Sequence, residues 1–183
     1  AVLNAARARG LTPDDRANPA RWRGHLDHLL PKRPKLARGH QPALPWRDVP
    51  AFMAELRERD ARAARLLEFA ILTAARSGEA RGATWDEIDF TQGIWIVPAE
   101  RMKAGVEHRV PLSRRALALL AEAGPPVAGK PIFPAPRGSR FSDMAFLMLL
   151  RRMGRGDLTA HGFRSSFRDW AGDATNFPRE VIE

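Results

Sequence analysis

His161 and Arg164 are the residues of this 183-residue chain whose types and spacing first suggest chemistry. They stand in the stretch Leu158-Thr159-Ala160-His161-Gly162-Phe163-Arg164-Ser165-Ser166-Phe167-Arg168-Asp169-Trp170. Phe163, Phe167 and Trp170 recur at helical spacing, and Thr159 can serve as an N-cap. Two residues three apart near a helix start project from one side, so the imidazole and the guanidinium face the same way. Beside the free N–H groups of a helix N-terminus, that pair suits a phosphate. A capped helix with one surface cation accounts for the same residues, and both readings stand at this point. Two more cations stand out. Arg76 follows a buried helix, where an arginine is also favoured simply by the helix dipole. Lys103 lies in a loop between two short strands, where an ordinary hairpin-tip lysine would also fit.

The elements that must position these four residues can be read in order. An apolar face of Ala64, Leu67, Ala70 and Ile71 makes a helix opened by Asp60, and Asp48 caps another through about Glu58. After the first of these comes Thr73-Ala74-Ala75-Arg76-Ser77-Gly78-Glu79, with Ser77 able to cap a short helix and Glu79 near its start. Beyond a turn at Gln92-Gly93, strands Ile94–Val97 and His108–Leu112 form a hairpin whose loop holds Arg101-Met102-Lys103-Ala104-Gly105. Ser113 caps a helix from Arg114 to Ala123. Ile132-Phe133 fits one more short strand, Ser142 caps a helix from Asp143 to Met153, and Pro178 begins a last helix. The tally is an α+β domain, mostly helical, with a small antiparallel sheet.

Residues 1–9 read as the end of a helix stopped by Gly10. Six prolines follow between Pro13 and Pro45, with a short helical segment, Pro19 to Leu30, and the basic run Pro31-Lys32-Arg33-Pro34-Lys35-Leu36-Ala37-Arg38. That run reads either as a linker lying along a polyanion or as a solvated loop. His25 and His28 are three apart, but no further ligand follows at metal-binding spacing, so packing or surface roles are favoured and no metal or cofactor is expected.

Composition narrows the partner. The formal net charge is +9, and of 30 basic residues only Lys32, Lys35, Lys103 and Lys130 are lysines. Arginine is the better bidentate partner for phosphate, so an arginine-rich basic domain points to nucleic acid, although a bias in codon composition would leave the same mark. Apolar residues make up 44%, enough for a core. The chain has no cysteine, which excludes disulfides and thiolate chemistry, and no apolar run of membrane-spanning length. It also has no tyrosine.

With these residues in place, the sequence resembles the tyrosine recombinases, the phage integrase family, and among them the prophage and genomic-island integrases. The resemblance is carried by Leu72-Thr73-Ala74-Ala75-Arg76-Ser77-Gly78-Glu79, by Arg101-Met102-Lys103 with His108-Arg109-Val110-Pro111-Leu112-Ser113, and by His161-Gly162-Phe163-Arg164. It extends to Asn18-Pro19 and to Pro178-Arg179-Glu180, nearly the whole chain. It implies site-specific DNA integration and recombination by strand cleavage and rejoining through a 3′-phosphotyrosyl intermediate, without metal or cofactor. Arg76 and Arg164 would then hold the non-bridging phosphate oxygens, Lys103 would protonate the leaving 5′ oxygen, and His161 would assist proton transfer and orient the phosphate. Glu79 resembles a supporting residue that holds Arg76 or caps its helix. The implied partners are double-stranded DNA at attachment sites and, for a full-length protein, a tetramer on that DNA, in the cytoplasm of a bacterium.

The resemblance also implies a domain division, with residues 1–43 as the end of a core-binding domain plus basic linker and residues 44–183 as a catalytic domain. In the family a nucleophilic tyrosine follows the His-x-x-Arg helix, and this sequence holds none. The expectation is therefore a catalytic domain incomplete at its C-terminal side, from a longer integrase or a decayed element, that binds DNA without cutting it. A non-catalytic DNA-binding remnant is the alternative. Arg81, Arg109 and Arg168 are possible DNA contacts or merely solvated, and Arg57, Arg59, Arg62 and Arg65, interleaved with acids, read as a mostly solvated face.

Overall fold

An amphipathic helix, Arg62–Leu72 (α2), runs through the middle of the larger of two units, Ala1–Gly39 and His40–Glu183. The computed structural model describes residues 5, 6, 8–11, 26–29, 42–102 and 104–178. In the first unit, helical residues up to Ala8 end at Gly10, whose φ of 66° is the left-handed backbone expected of a glycine stop. A three-residue helix, Asp27–Leu29, is the described part of the expected Pro19–Leu30 segment. The basic run 31–38 and His25 lie outside the described residues.

The second unit contains Val49–Arg57 (α1), α2, Ser77–Arg81 (α3), a sheet of Ile88–Asp89 (β1), Ile94–Val97 (β2) and His108–Pro111 (β3), then Arg114–Ala123 (α4), Ala145–Arg152 (α5) and Gly162–Ala174 (α6). The expected α+β class, mostly helical with one small sheet, is what is found. The sheet is antiparallel in the order β1-β2-β3, with Trp95 opposite Val110 and Val97 opposite His108. The β2–β3 hairpin matches the expected one. β1 was not expected: two residues are too few to show an alternation.

α2 packs against α1, α3, α4 and α5. Leu66, Leu67 and Phe69 are fully buried, and Phe69 lies 5.1 Å from Trp95 of β2 and 5.5 Å from Phe133. One aromatic thus joins helix layer to sheet. α6 closes the other side, with Phe163 4.8 Å from Phe52 of α1.

Local signals misplace several helix starts. Asp48 stands at the N-cap of α1 but makes no capping bond, because its own backbone is helical (φ −91°, ψ −11°) and continues a 3-10 turn, Trp46–Asp48, into the helix. α2 opens at Ala61, not Asp60. α3 is capped from Arg76, with Ser77 already inside it. α5 begins at Ala145 rather than Asp143, with Met144 and not Ser142 at its N-cap. Ser113 does cap α4, its hydroxyl accepting from the Ala116 N–H at 3.2 Å. Ile132-Phe133 is not a strand. Ile132 N–H donates to the Ala83 carbonyl, beside a lone bridge between Thr84 and Pro131, and the flanking prolines have no N–H to extend a ladder.

The solvated-face expectation also fails in part. Glu68 on α2 is fully buried, and its carboxylate accepts from Arg57 Nε at 2.7 Å and from Arg115 Nε at 2.9 Å, with Arg65 3.9 Å away. Arg115 also pairs with Glu122 at 2.6 Å. Burial works to raise the Glu68 pKa, but the hydrogen bonds and charges of Arg115 and Arg57 outweigh it and hold the group below the usual carboxylate range. Arg57 and Arg65 therefore serve a buried carboxylate. Arg59, 3.5 Å from Glu55, fits the exposed reading.

Candidate active site

The site is built where α2 stops. Its last turn closes as a Schellman motif, with Ala75 N–H donating to the Ala70 carbonyl and Ala74 N–H to the Ile71 carbonyl, both at 3.1 Å. Ala74 occupies the left-handed position at φ 48°, where glycine is the usual residue, and among the described residues it is the one non-glycine with positive φ. The turn reverses the chain so that Arg76, in extended backbone (φ −68°, ψ 147°), starts α3 on the outer surface of the core.

Glu79, one turn on, faces back toward Arg76. Its Oε2 accepts from the Arg76 backbone N–H at 2.9 Å and its Oε1 from Arg76 Nη1 at 2.7 Å. This is the acidic half of a capping box, and the same carboxylate also clamps the guanidinium. Glu79 is buried, which works to raise its pKa. The Arg76 side-chain and backbone hydrogen bonds, then the charges of Arg76 and Arg164, outweigh burial and lower it. The expectation that Glu79 supports Arg76 fits this geometry.

Arg164 reaches the same place from the other end of the sequence. Its Nη1 donates to the Ala74 carbonyl oxygen, and its guanidinium is half-buried. Burial lowers its pKa, the neighbouring charge of Arg76 lowers it further, and Glu79 opposes both. An arginine remains protonated regardless. Glu79 thus bonds the Arg76 guanidinium alone, Arg164 is tied to the Ala74 carbonyl, and beyond these bonds the remaining N–H groups of both arginines meet no hydrogen-bond acceptor among the described residues.

α6 is held rigidly enough to aim Arg164. Thr159 Oγ1 accepts from the Gly162 N–H at 3.0 Å, as the expected cap, although the regular helix begins at Gly162 with His161 as the residue before it. A Cβ on Gly162 would overlap the Pro42 carbonyl oxygen and stand 3.0 Å from Ala43 Cα, so only glycine admits the crossing chain. Ser166 Oγ donates to the Leu44 carbonyl, and Trp46 Nε1 donates to Asp173 Oδ2 at 3.0 Å. The 42–46 segment thus straps α6 along about three turns.

Of the four residues singled out in the sequence, Arg76 and Arg164 come together. His161 sits at the start of the same helix as Arg164 with its side chain exposed and no hydrogen-bond partner among the described residues. Lys103 lies outside the described residues. Its flanks, Met102 and Ala104, lie between β2 and β3, and residues 104–109 are exposed. Among the possible DNA contacts, Arg81 is buried, donating to the Phe141 carbonyl at 2.9 Å and pairing with Asp143, so it does not face outward. Arg109 and Arg168 are exposed and paired with Glu107 and Asp169. Sequence reasoning missed the Ala74 carbonyl, since a backbone acceptor leaves no trace in residue type. It also missed Arg101, which donates to the Glu79 carbonyl and to the Glu87 carboxylate. Among the described residues no cluster of three His, Cys, Asp or Glu is placed to hold a metal, and no helix is long and apolar enough to cross a membrane.

Comparison with known proteins bears on this arrangement. Residues 43–170 match the model of the phage integrase family. The chain is 40% identical over 126 residues to prophage integrase IntA of Escherichia coli K12, covering 64% of this chain and 29% of that protein. It is 33% identical over 164 residues to the integrase of Enterobacteria phage P4, covering 79% of this chain and 37% of that one. The chain thus spans about a third of the length of these curated relatives. Its fold is similar to that of lambda integrase, in a tetramer bound to a Holliday junction, with a TM-score of 0.61 at 18% identity over 98% of this chain and 53% of that one. It is also similar to XerA recombinase, with a TM-score of 0.56 at 17% identity over 84% and 56%. With more than half of its length matched by the family model around the paired arginines, this chain belongs to the phage integrase family of tyrosine recombinases.

Proposed function

We propose that this chain is part of a site-specific recombinase that cuts and rejoins double-stranded DNA through a 3′-phosphotyrosyl intermediate. The observation that carries the reading is the Arg76–Arg164 pair: Glu79 clamps the Arg76 guanidinium, and Arg164 is bonded to the carbonyl of Ala74 in the turn that presents Arg76. A phosphodiester in the transition state gains negative charge on its non-bridging oxygens, and preorganised bidentate donors stabilise that charge where it develops. An oxyanion there also relieves the repulsion between the two arginines. Arg76 and Arg164 hold the oxygens, Lys103 donates a proton to the leaving 5′ oxygen, and His161 assists proton transfer and orients the phosphate. Residues 44–183 act as catalytic domain, with residues 1–43 as the end of a core-binding domain and a basic linker. The DNA complex is a tetramer of full-length chains, working in the bacterial cytoplasm, and the chemistry uses no cofactor.

The 183 residues contain no tyrosine, so cleavage through a phosphotyrosine needs that residue from outside this sequence. Without it the chain binds DNA and leaves it whole, which is the second reading, a non-catalytic DNA-binding remnant. Two measurements test these readings. Binding of a DNA duplex that weakens steeply with salt supports phosphate contacts, and no binding at low salt sinks both readings. A covalent adduct on a nicked suicide substrate, formed by a longer chain that contains this segment and a downstream tyrosine, selects the enzyme. A stop codon directly after Glu183 selects the remnant.

A further inference from the structure

Arg101 is held as no surface arginine would be. Its side chain is three-quarters buried, and it donates to two different acceptors, the Glu87 carboxylate and the Glu79 backbone carbonyl. The Glu87 side chain is only 9% exposed and also accepts from Trp95 Nε1 at 2.8 Å, so the network roots in the buried Trp95 of β2. The seat is shaped for the guanidinium: a Cβ on Gly82 would stand 2.7 Å from Arg101 Nη2 and 3.2 Å from its Cζ. Met102 packs on the core beside it, and the next described residues, 104–109, are all exposed. Arg101 and Met102 are thus the last anchored residues before Lys103 in the sequence. Glu79 links the two halves of the arrangement, with its carboxylate on Arg76 and its carbonyl on Arg101.

We propose that Arg101 is a positioning residue for the β2–β3 hairpin, fixing the foot of the arm that carries Lys103 against the same α3 turn that presents Arg76. The inference rests on the recombinase reading above. Its physical basis is reach. Anchoring the backbone two residues before a proton donor limits the error in where that donor is presented. A planar fork with several donors can hold a carboxylate and a carbonyl at once, which an ammonium does less well. Because its guanidinium is turned into the protein, Arg101 does not itself bind DNA.

The chain's four lysines make a direct test practical. Reductive 13C-dimethylation gives each lysine an NMR signal, and Lys103→Arg assigns the one of interest. On titration with a DNA duplex at low salt, the Lys103 signal of the parent shifts. In Arg101→Ala most of that shift is lost, while duplex affinity, its salt dependence and the Lys130 signal stay as in the parent. Gly82→Ala keeps Arg101 but crowds its seat and gives the same loss, so the test survives if Arg101→Ala fails to fold. An unchanged Lys103 shift in folded Arg101→Ala or Gly82→Ala overturns the inference and leaves the recombinase reading standing. A loss of duplex affinity equal to that of a DNA-contacting arginine also overturns it. Absence of any Lys103 shift in the parent removes Lys103 from the DNA interface and overturns both.

Discussion

The Arg164 guanidinium donates to the carbonyl oxygen of Ala74, ninety positions earlier in the chain. This bond fixes one arginine of the site to the turn that presents the other. In a full-length version with its tyrosine, Arg164→Ala should lower strand cleavage by two to three orders of magnitude or more, as expected for loss of a transition-state donor at about 10²–10³ in rate. Duplex binding should change little, since other phosphate contacts remain. Cleavage of a nicked suicide substrate is the measurement, and near-normal cleavage removes Arg164 from the site.

Ala74→Gly should stabilise the fold. The left-handed conformation at φ 48° costs a residue with a Cβ roughly 1 kcal/mol, which exceeds or matches the added freedom glycine brings to the unfolded chain. Thermal unfolding should show a melting temperature a few degrees above the parent's. Ala74→Val should melt clearly lower, because a β-branched residue is worse still at positive φ. A Val variant as stable as the parent would show that the turn is not held in this conformation.

Gly162→Ala should cost about 1–3 kcal/mol, as overpacking against backbone does, because the Pro42 carbonyl and Ala43 Cα leave no space for a Cβ. Denaturant unfolding measures the loss. Since this crossing also sets the start of α6, duplex affinity should fall along with stability. An alanine variant with unchanged midpoint and affinity contradicts the strap of residues 42–46 over α6.

Acid should weaken the fold through Glu68 and Glu79. Both carboxyls are held below their ordinary value in the folded chain. Their stabilisation is complete above the unfolded pKa of about 4.3 and is lost as pH falls from there through the lower folded values. Glu68→Gln removes one of these groups and leaves Arg57 and Arg115 without their shared charge. Because Arg57 and Arg115 keep a third or more of their side chains in water, the loss should be about 1–3 kcal/mol. Urea midpoints measured between neutral pH and pH 3 should fall in the parent and fall less steeply in Glu68→Gln. Parallel pH profiles would show that Glu68 titrates alike in the folded and unfolded chain and so contributes nothing to the acid loss.

The sequence by itself determined the family, the α+β class and the pairing of β2 with β3. Those features rest on local periodicity and on short motifs whose residue types state their chemistry: an arginine after an apolar helix, a lysine in a hairpin loop, a histidine and an arginine at a helix start. Tertiary structure decided which of these meet. Arg76 and Arg164 are brought together because α2 ends in a turn whose carbonyl Arg164 can reach, and because Gly162 lets the 42–46 segment lie against α6. It also decided the fate of the other arginines. Arg57, Arg81 and Arg101 look alike as letters in a basic sequence, yet each faces a protein acceptor distant in the chain, and only packing brings such partners near. A helix start was misread for a related reason: Asp48 carries a good capping side chain, but a preceding 3-10 turn holds its backbone helical and runs on into α1.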